Sequence, residues 1–162
     1  MPLDETLDGF ATLIDQGKIR HWGVSNFDRD DMEELVRIAG GEAVATDQVL
    51  FNLGRRGIEV DLLPWCQERR VPIMAYSPIE QGRLLRRPAL RAVAARHDAT
   101  PAQVALAWVL GHDGVVTVPK AGTPEHVREN RGALDLQLTR DDLAELDVAF
   151  PPPAGPQPLE ML

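Results

Sequence analysis

Three short apolar runs in this chain close in the same way. Residues 19–26 read Ile-Arg-His-Trp-Gly-Val-Ser-Asn, residues 71–78 read Val-Pro-Ile-Met-Ala-Tyr-Ser-Pro, and residues 114–120 read Gly-Val-Val-Thr-Val-Pro-Lys. Each is an apolar stretch of strand character that hands polar groups to its C-terminal end. A fourth run, 44–50, lies between the first two. Segments of helical spacing separate them. Strands alternating with helices predict the α/β class, a parallel sheet with right-handed crossovers. In such a sheet the C-terminal strand ends share one face, so polar groups placed there converge on one site.

The spacing predicts strands over 19–24, 44–50, 71–77 and 115–118, and helices in between. The first helix, over 2–16, carries Leu7, Phe10, Ala11 and Ile14 on one face and stops at Gly17. Asp28 or Asp30 caps the second, with Met32, Leu35, Val36 and Ala39 inward and Gly40-Gly41 ending it. A third spans 60–69 with Leu63 and Cys66 inward. Residues 83–86 read as a loop, followed by a helix over 88–97. Thr100-Pro101 and Thr123-Pro124 are each a cap followed by proline at the first helical position, opening helices over 101–110 and 124–130. Thr139 caps a last helix with Leu143, Leu146 and Phe150 inward. Trp22, Trp65 and Trp108 read as packing residues. Residues 151–162 open on three prolines and are expected to lie extended over the surface as a C-terminal tail, outside a folded region of residues 1–150.

Composition removes several classes of function. A net charge of −8 with no basic stripe disfavours a nucleic-acid partner. No apolar run approaches the ~18 residues of a membrane span. The single cysteine, Cys66, and an acidic N-terminus without a signal-peptide core predict a cytoplasmic protein. The spacing of the four histidines and Cys66 makes no metal site.

Four motifs, in order, resemble the aldo-keto reductases. Residues 17–27, Gly-Lys-Ile-Arg-His-Trp-Gly-Val-Ser-Asn-Phe, are similar to the segment around that family's fifth strand. Asp47-Gln48-Val49 with Asn52 resembles the sixth, Ala75-Tyr76-Ser77-Pro78 the seventh, and residues 118–120 with 127–130 the eighth strand and its helix. The resemblance runs from about Leu3 to Phe150 and covers strands five to eight, so it implies half of a (β/α)8 TIM barrel. A closed barrel needs eight strands and roughly 200 or more residues. A leading amphipathic helix with no strand before it likewise leads us to expect a missing unit upstream of Met1.

The resemblance implies an NADPH site, with NADH as the alternative cofactor. Ser25, Asn26 and Gln48 would hold the nicotinamide carboxamide. Tyr76 would stack on the nicotinamide ring, and Ser77 would lie by the pyrophosphate. Lys120 would meet the adenosine 2′-phosphate, Glu129 and Asn130 would face the adenine, and Arg128 stands near a position where the family often carries an arginine but this chain has His126. The residue types suit those tasks independently: amides pair with an amide, a ring with a ring, and a cation with a phosphate. The family's catalytic Asp, Tyr, Lys and His would all precede Met1. Tyr76 is the single tyrosine, and Lys18 and Lys120 are the two lysines. No catalytic residue is therefore assigned, and the chain alone is expected to be inactive. A carbonyl substrate would be a partner only if the other half is supplied. Two readings follow: an oxidoreductase in truncated form, or a non-catalytic nucleotide-binding scaffold. In either, an open half-barrel is expected to self-associate or to pair with an N-terminal half.

Overall fold

The structure is a computed structural model and describes residues 2–162. Among these residues seven helices, α1 (Leu3–Asp15), α2 (Arg29–Leu35), α3 (Leu62–Arg69), α4 (Pro88–Arg96), α5 (Pro101–Leu110), α6 (Pro124–Gly132) and α7 (Arg140–Ala149), are interspersed with four strands, β1 (Val24–Ser25), β2 (Asp47–Leu50), β3 (Ile73–Tyr76) and β4 (Val115–Thr117). The strands form one sheet in the order β1-β2-β3-β4, and every pairing is parallel. This is the expected α/β architecture, a four-stranded portion of a TIM barrel.

Register determines which residues face where. Val24, Asp47, Ile73 and Val115 form one row across the sheet, and Ser25, Gln48, Met74 and Val116 the next. Side chains alternate along a strand, so the two rows point to opposite faces. The Asp47, Val49, Ile73, Ala75 and Val115 face is buried under the helices. On the other face Val116 is 48% exposed while Leu50 is 2% exposed.

Capping sets most helix starts. Asp28, rather than Asp30, caps α2: its side chain accepts from the Asp31 amide at 2.9 Å, and Asp31 accepts from the Asp28 amide at 3.1 Å. Thr100 forms the same reciprocal box with Gln103, and Thr139 with Asp142. Thr123 accepts from the His126 amide at 3.3 Å.

Several expected spans shorten, for identifiable reasons. The first strand is two residues long, not the six of 19–24. It lies at the sheet edge, and Trp22 is tied to the next strand by one bond, from the Ala45 amide at 2.9 Å. Gly23 lets it approach at all, since a Cβ there would stand 2.7 Å from the Thr46 carbonyl oxygen. The second strand starts at Asp47 because residues Gly41–Ala43 coil into a 3-10 turn. The α2 helix ends at Leu35, where Arg37 and Ile38 donate three residues back instead of four. Ala39 is consequently exposed. The third helix starts at Leu62, after a 3-10 turn at Gly57–Glu59. The third and fourth strands lose their ends, and the expected loop at 83–86 contains a 3-10 turn, Leu84–Arg86, that buries Leu84.

Besides Ala39, three residues expected inside are exposed. Ala11 and Ile14 lie on α1, which is held through Leu7 and through Phe10 stacked on Trp22 at 5.1 Å, with nothing covering its last turn. Leu143 of α7 is exposed while Leu146 and Phe150 are buried. The three tryptophans are buried as expected, and residues 151–162 have no regular structure. No helix among the described residues is long and apolar enough to cross a membrane.

Candidate functional site

The C-terminal ends of the strands gather most of the expected residues. Ser25 closes β1, and its hydroxyl donates to the Gln48 carbonyl at 3.0 Å. The Asn26 amide donates to the same oxygen at 2.9 Å. Asn26 adopts the left-handed conformation, φ 57°, which non-glycine residues visit rarely and asparagine most readily. That twist leaves its Oδ1 buried without a hydrogen-bond partner. Gln48, half-buried on the open face, reaches only the Met74 sulfur with its amide nitrogen, at 2.9 Å. A thioether is a weak acceptor, so this amide keeps most of its capacity.

Tyr76 ends β3 on the same open face, two residues beyond Met74 and in register with Leu50. Ser77 follows with φ 50°, and Glu80 and Gln81 are left-handed as well. Strained backbone after a strand end needs a surrounding structure to hold it. Buried Asn52 supplies that hold. Its Nδ2 donates to the Ser77 carbonyl at 2.9 Å and to Glu80 Oε2 at 2.9 Å, while its Oδ1 accepts from the Gly54 amide at 2.8 Å. Glu80 is buried in turn and paired with Arg55 at 3.2 Å, and Arg55 reaches Glu160 of the tail at 2.5 Å. The tail therefore folds back over the strand ends. With Leu159 and Gln157 it walls a cavity of about 190 Å³ against Leu50, Asp28 and Ile58. The sequence reading used Asn52 only as part of a motif and missed Arg55, Glu80 and Glu160. No local pattern flags a network in which Arg55 bonds Glu160, 105 residues away.

The β4 end is more open. Val118 donates to the Ala75 carbonyl at 3.2 Å, and Lys120 follows it, exposed, just ahead of α6. Arg128 is exposed and pairs with Glu125 at 3.4 Å. Glu129 is drawn to the neighbouring helix, where its carboxylate accepts the Thr100 hydroxyl at 2.5 Å. Asn130 lies half-buried beside it on α6. The structure thus joins Ser25, Asn26 and Gln48 directly, sets Tyr76 and Ser77 on the adjacent strand, and leaves Lys120, Arg128, Glu129 and Asn130 around the start and body of α6.

Two titratable groups elsewhere, Cys66 and Asp142, are structural. Burial, with a smaller push from Asp47, raises the Cys66 thiol to about 12, so no thiolate nucleophile is available. Desolvation alone would raise the Asp142 carboxyl. Hydrogen bonds from Thr139, His97 and Arg96 outweigh it and hold the group well below the usual carboxylate range. The His97 bond is 2.7 Å, which gives that histidine a structural role that the sequence did not reveal. Among the described residues no three His, Cys, Asp or Glu side chains group as metal ligands.

Methylglyoxal reductase YeaE of Escherichia coli (strain K12) is 49% identical over 164 residues, covering 98% of this chain and 58% of its own length. Glyoxal reductase of Bacillus subtilis (strain 168) is 35% identical over 159 residues, covering 98% and 56%. The crystal structure of an aldo-keto reductase from Klebsiella pneumoniae in complex with NADPH superposes with a TM-score of 0.98 at 47% identity, covering 100% of this chain and 59% of that one. The chain thus spans a little over half the length of these relatives. Its residues 1–149 match the sequence model of the Aldo/keto reductase family, and by that match the protein belongs to the aldo/keto reductase family.

Proposed function

We propose that this chain is the cofactor-holding, carboxyl-terminal half of an NADPH-dependent carbonyl reductase. The observation that carries this reading is Asn26 Oδ1, a buried acceptor with no protein donor. Leaving such an atom unpaired costs on the order of 1–3 kcal/mol, and a ligand amide would satisfy it. The donor set fits a nicotinamide carboxamide: Asn26 offers an acceptor, and Gln48 beside it offers an amide held only by a thioether. Tyr76 presents a ring on the same open face, and Lys120 with the start of α6 offers positive charge for a phosphate. The Klebsiella pneumoniae relative, crystallised with NADPH, aligns over the whole chain.

When bound, NADPH supplies a hydride to a carbonyl carbon. The residues of this chain would bind and orient it: Ser25, Asn26 and Gln48 at the carboxamide, Tyr76 against the ring, Ser77 at the pyrophosphate, Lys120 at the 2′-phosphate, and Arg128, Glu129 and Asn130 on the adenosine side. A carbonyl oxygen also needs a proton donor within hydrogen-bond reach. Tyr76 is committed to the cofactor, and Lys18 precedes β1 at the opposite end of the strands. We therefore place the proton donor outside residues 1–162, and the chain alone binds the cofactor without reducing carbonyls.

Fluorescence titration tests this. NADPH should bind. Asn26→Gly keeps the left-handed backbone and removes the acceptor, so it should weaken NADPH and NADH alike by roughly 1–2 kcal/mol. Lys120→Met should weaken NADPH by about 1–3 kcal/mol and leave NADH nearly unchanged. An absence of NADPH binding, or unchanged affinity in both variants, defeats the reading.

A further inference from the structure

After β3 the backbone turns left-handed at three non-glycine residues, Ser77, Glu80 and Gln81, at φ 50°, 49° and 54°. Such residues are costly and persist only where neighbours hold them. Here the hold comes from a second turn. Asn52 and Arg55 exchange backbone bonds, from the Asn52 amide at 3.3 Å and from the Arg55 amide at 2.9 Å. That tight turn aims both side chains at Glu80. Asn52 takes Glu80 Oε2 at 2.9 Å, and Arg55 takes Oε1 through Nε and Nη2, each at 3.2 Å. Arg83 stands farther off, at 3.7 Å. Glu80 is 6% exposed, and a buried carboxylate is tolerated only while its partners stay in place. Asn52 is itself fixed, because the Gly54 amide donates to its Oδ1 at 2.8 Å. Arg55 is fixed by the tail: its Nη1 donates to Glu160 Oε1 at 2.5 Å. We infer that Glu160 is a positioning residue, which aims the Arg55 guanidinium at Glu80 and through it sets the backbone of the Ser77–Gln81 turn.

The Arg55 and Glu160 side chains are 34% and 38% exposed, so water screens their attraction and orientation is what the pair contributes. A guanidinium on a long, flexible stem swings unless more than one edge of its fork is held. Leu159, packed against the hydrophobic core, brings the carboxylate to that place. The start of the tail is anchored separately. Arg56 donates to the Phe150 carbonyl at 2.6 Å, and Arg87 lies over the Phe150 ring, 5.0 Å from its centre. Loss of Glu160 therefore frees Arg55 without releasing the whole tail. The consequence for ligand binding rests on the cofactor reading, in which Ser77 lies by the pyrophosphate of NADPH. The charge of Glu160 makes the direction of that effect decisive. A carboxylate that merely stands near an anionic ligand repels it, and removing it tightens binding. A carboxylate that aims Arg55 holds the turn in shape, and removing it weakens binding. By linkage, NADPH in turn strengthens the docking of the tail by the same factor.

Glu160→Ala in the full chain tests this by amide exchange and by NADPH fluorescence. Exchange should quicken about threefold, the size of one partly exposed ion pair, at Gly54, whose amide donates to Asn52, and at Glu80, whose amide donates to the Ser77 carbonyl. The Ile73 amide, bonded to the Gly114 carbonyl within the sheet, should not change. NADPH affinity should fall by about the same factor. Glu160→Gln keeps an acceptor for Arg55 without the charge, and it should recover most of both losses. Unchanged exchange at Gly54 and Glu80, a Glu160→Gln variant that behaves like Glu160→Ala, or NADPH that binds Glu160→Ala as well as or better than the unmodified chain would each overturn the proposal. If the unmodified chain binds no NADPH, the cofactor reading fails, and the exchange measurement alone still decides whether Glu160 sets the turn.

Discussion

Replacing Asp47 with asparagine is expected to remove most of the pH dependence of stability between about pH 4 and pH 7. Asp47 is fully buried on the helix-covered face of β2, and neither carboxylate oxygen has a hydrogen-bond partner. Burial is the main reason its carboxyl is pushed up from 3.8 to about 7. The nearby Phe27 amide offsets part of this, and the Asp31 carboxylate on α2 adds to it. The Cys66 thiol of α3 faces the same space and stays neutral. The folded protein therefore keeps a proton that the unfolded chain releases near its ordinary value. The Asp47 contribution to stability is therefore most favourable below about pH 4, falls as pH rises, and levels off above about pH 7. The difference between 3.8 and about 7 corresponds to roughly 4 kcal/mol across that window. Asparagine keeps the shape and carries no charge, so Asp47→Asn should gain stability above pH 7 and flatten the curve. Asp142 works in the other direction and at lower pH. Its carboxyl is depressed, so its contribution is present above the ordinary carboxylate value and is lost as pH falls below it. The two effects occupy separate windows. Urea unfolding at pH 5 and pH 8 decides: parallel loss of stability in both proteins would show that Asp47 is not the source.

Arg56→Ala should cost about 3 kcal/mol, the lower end of what breaking a buried ion pair costs. Its guanidinium is nearly buried and serves four partners. It holds Glu59 with two bonds, at 2.8 and 2.9 Å, reaches Asp147 of α7 at 2.7 Å, and donates to the Phe150 carbonyl at 2.6 Å. It also lies over the Trp108 ring, 4.9 Å from its centre. One side chain thus joins the loop after β2 to α5 and to the end of α7. Removing it leaves a half-buried Glu59 carboxylate and a carbonyl without a donor. Arg56→Lys should recover little, because an ammonium lacks the planar fork that meets Glu59 twice. Thermal or urea unfolding of both variants measures this. A loss below about 0.5 kcal/mol, the size of an ordinary surface change, would show that the network is peripheral.

Much of the candidate site was legible because it is built from local signals. Ser25-Asn26, Tyr76-Ser77 and Lys120 each follow an apolar run, and parallel pairing is enough to bring such ends to one side. The helix caps were legible for the same reason, since a capping box spans four residues. Strand lengths were not. A run such as 19–24 has strand character throughout, yet how much of it pairs depends on a neighbour that the edge position does not provide.

The sequence alone determined the class of fold, the order of its strands and main helices, the three threonine caps, and the residues that stand at the strand ends, because all of these depend on periodicity and on contacts within a few positions. Only the tertiary structure decided the rest. It left Asn26 Oδ1 without a donor, put Asp47 in a dry layer, and joined Asn52, Arg55, Glu80 and Glu160 into one brace. Each of these is a matter of what lies across space from a residue, and burial and pairing energies are set there, where neighbours in sequence have no say.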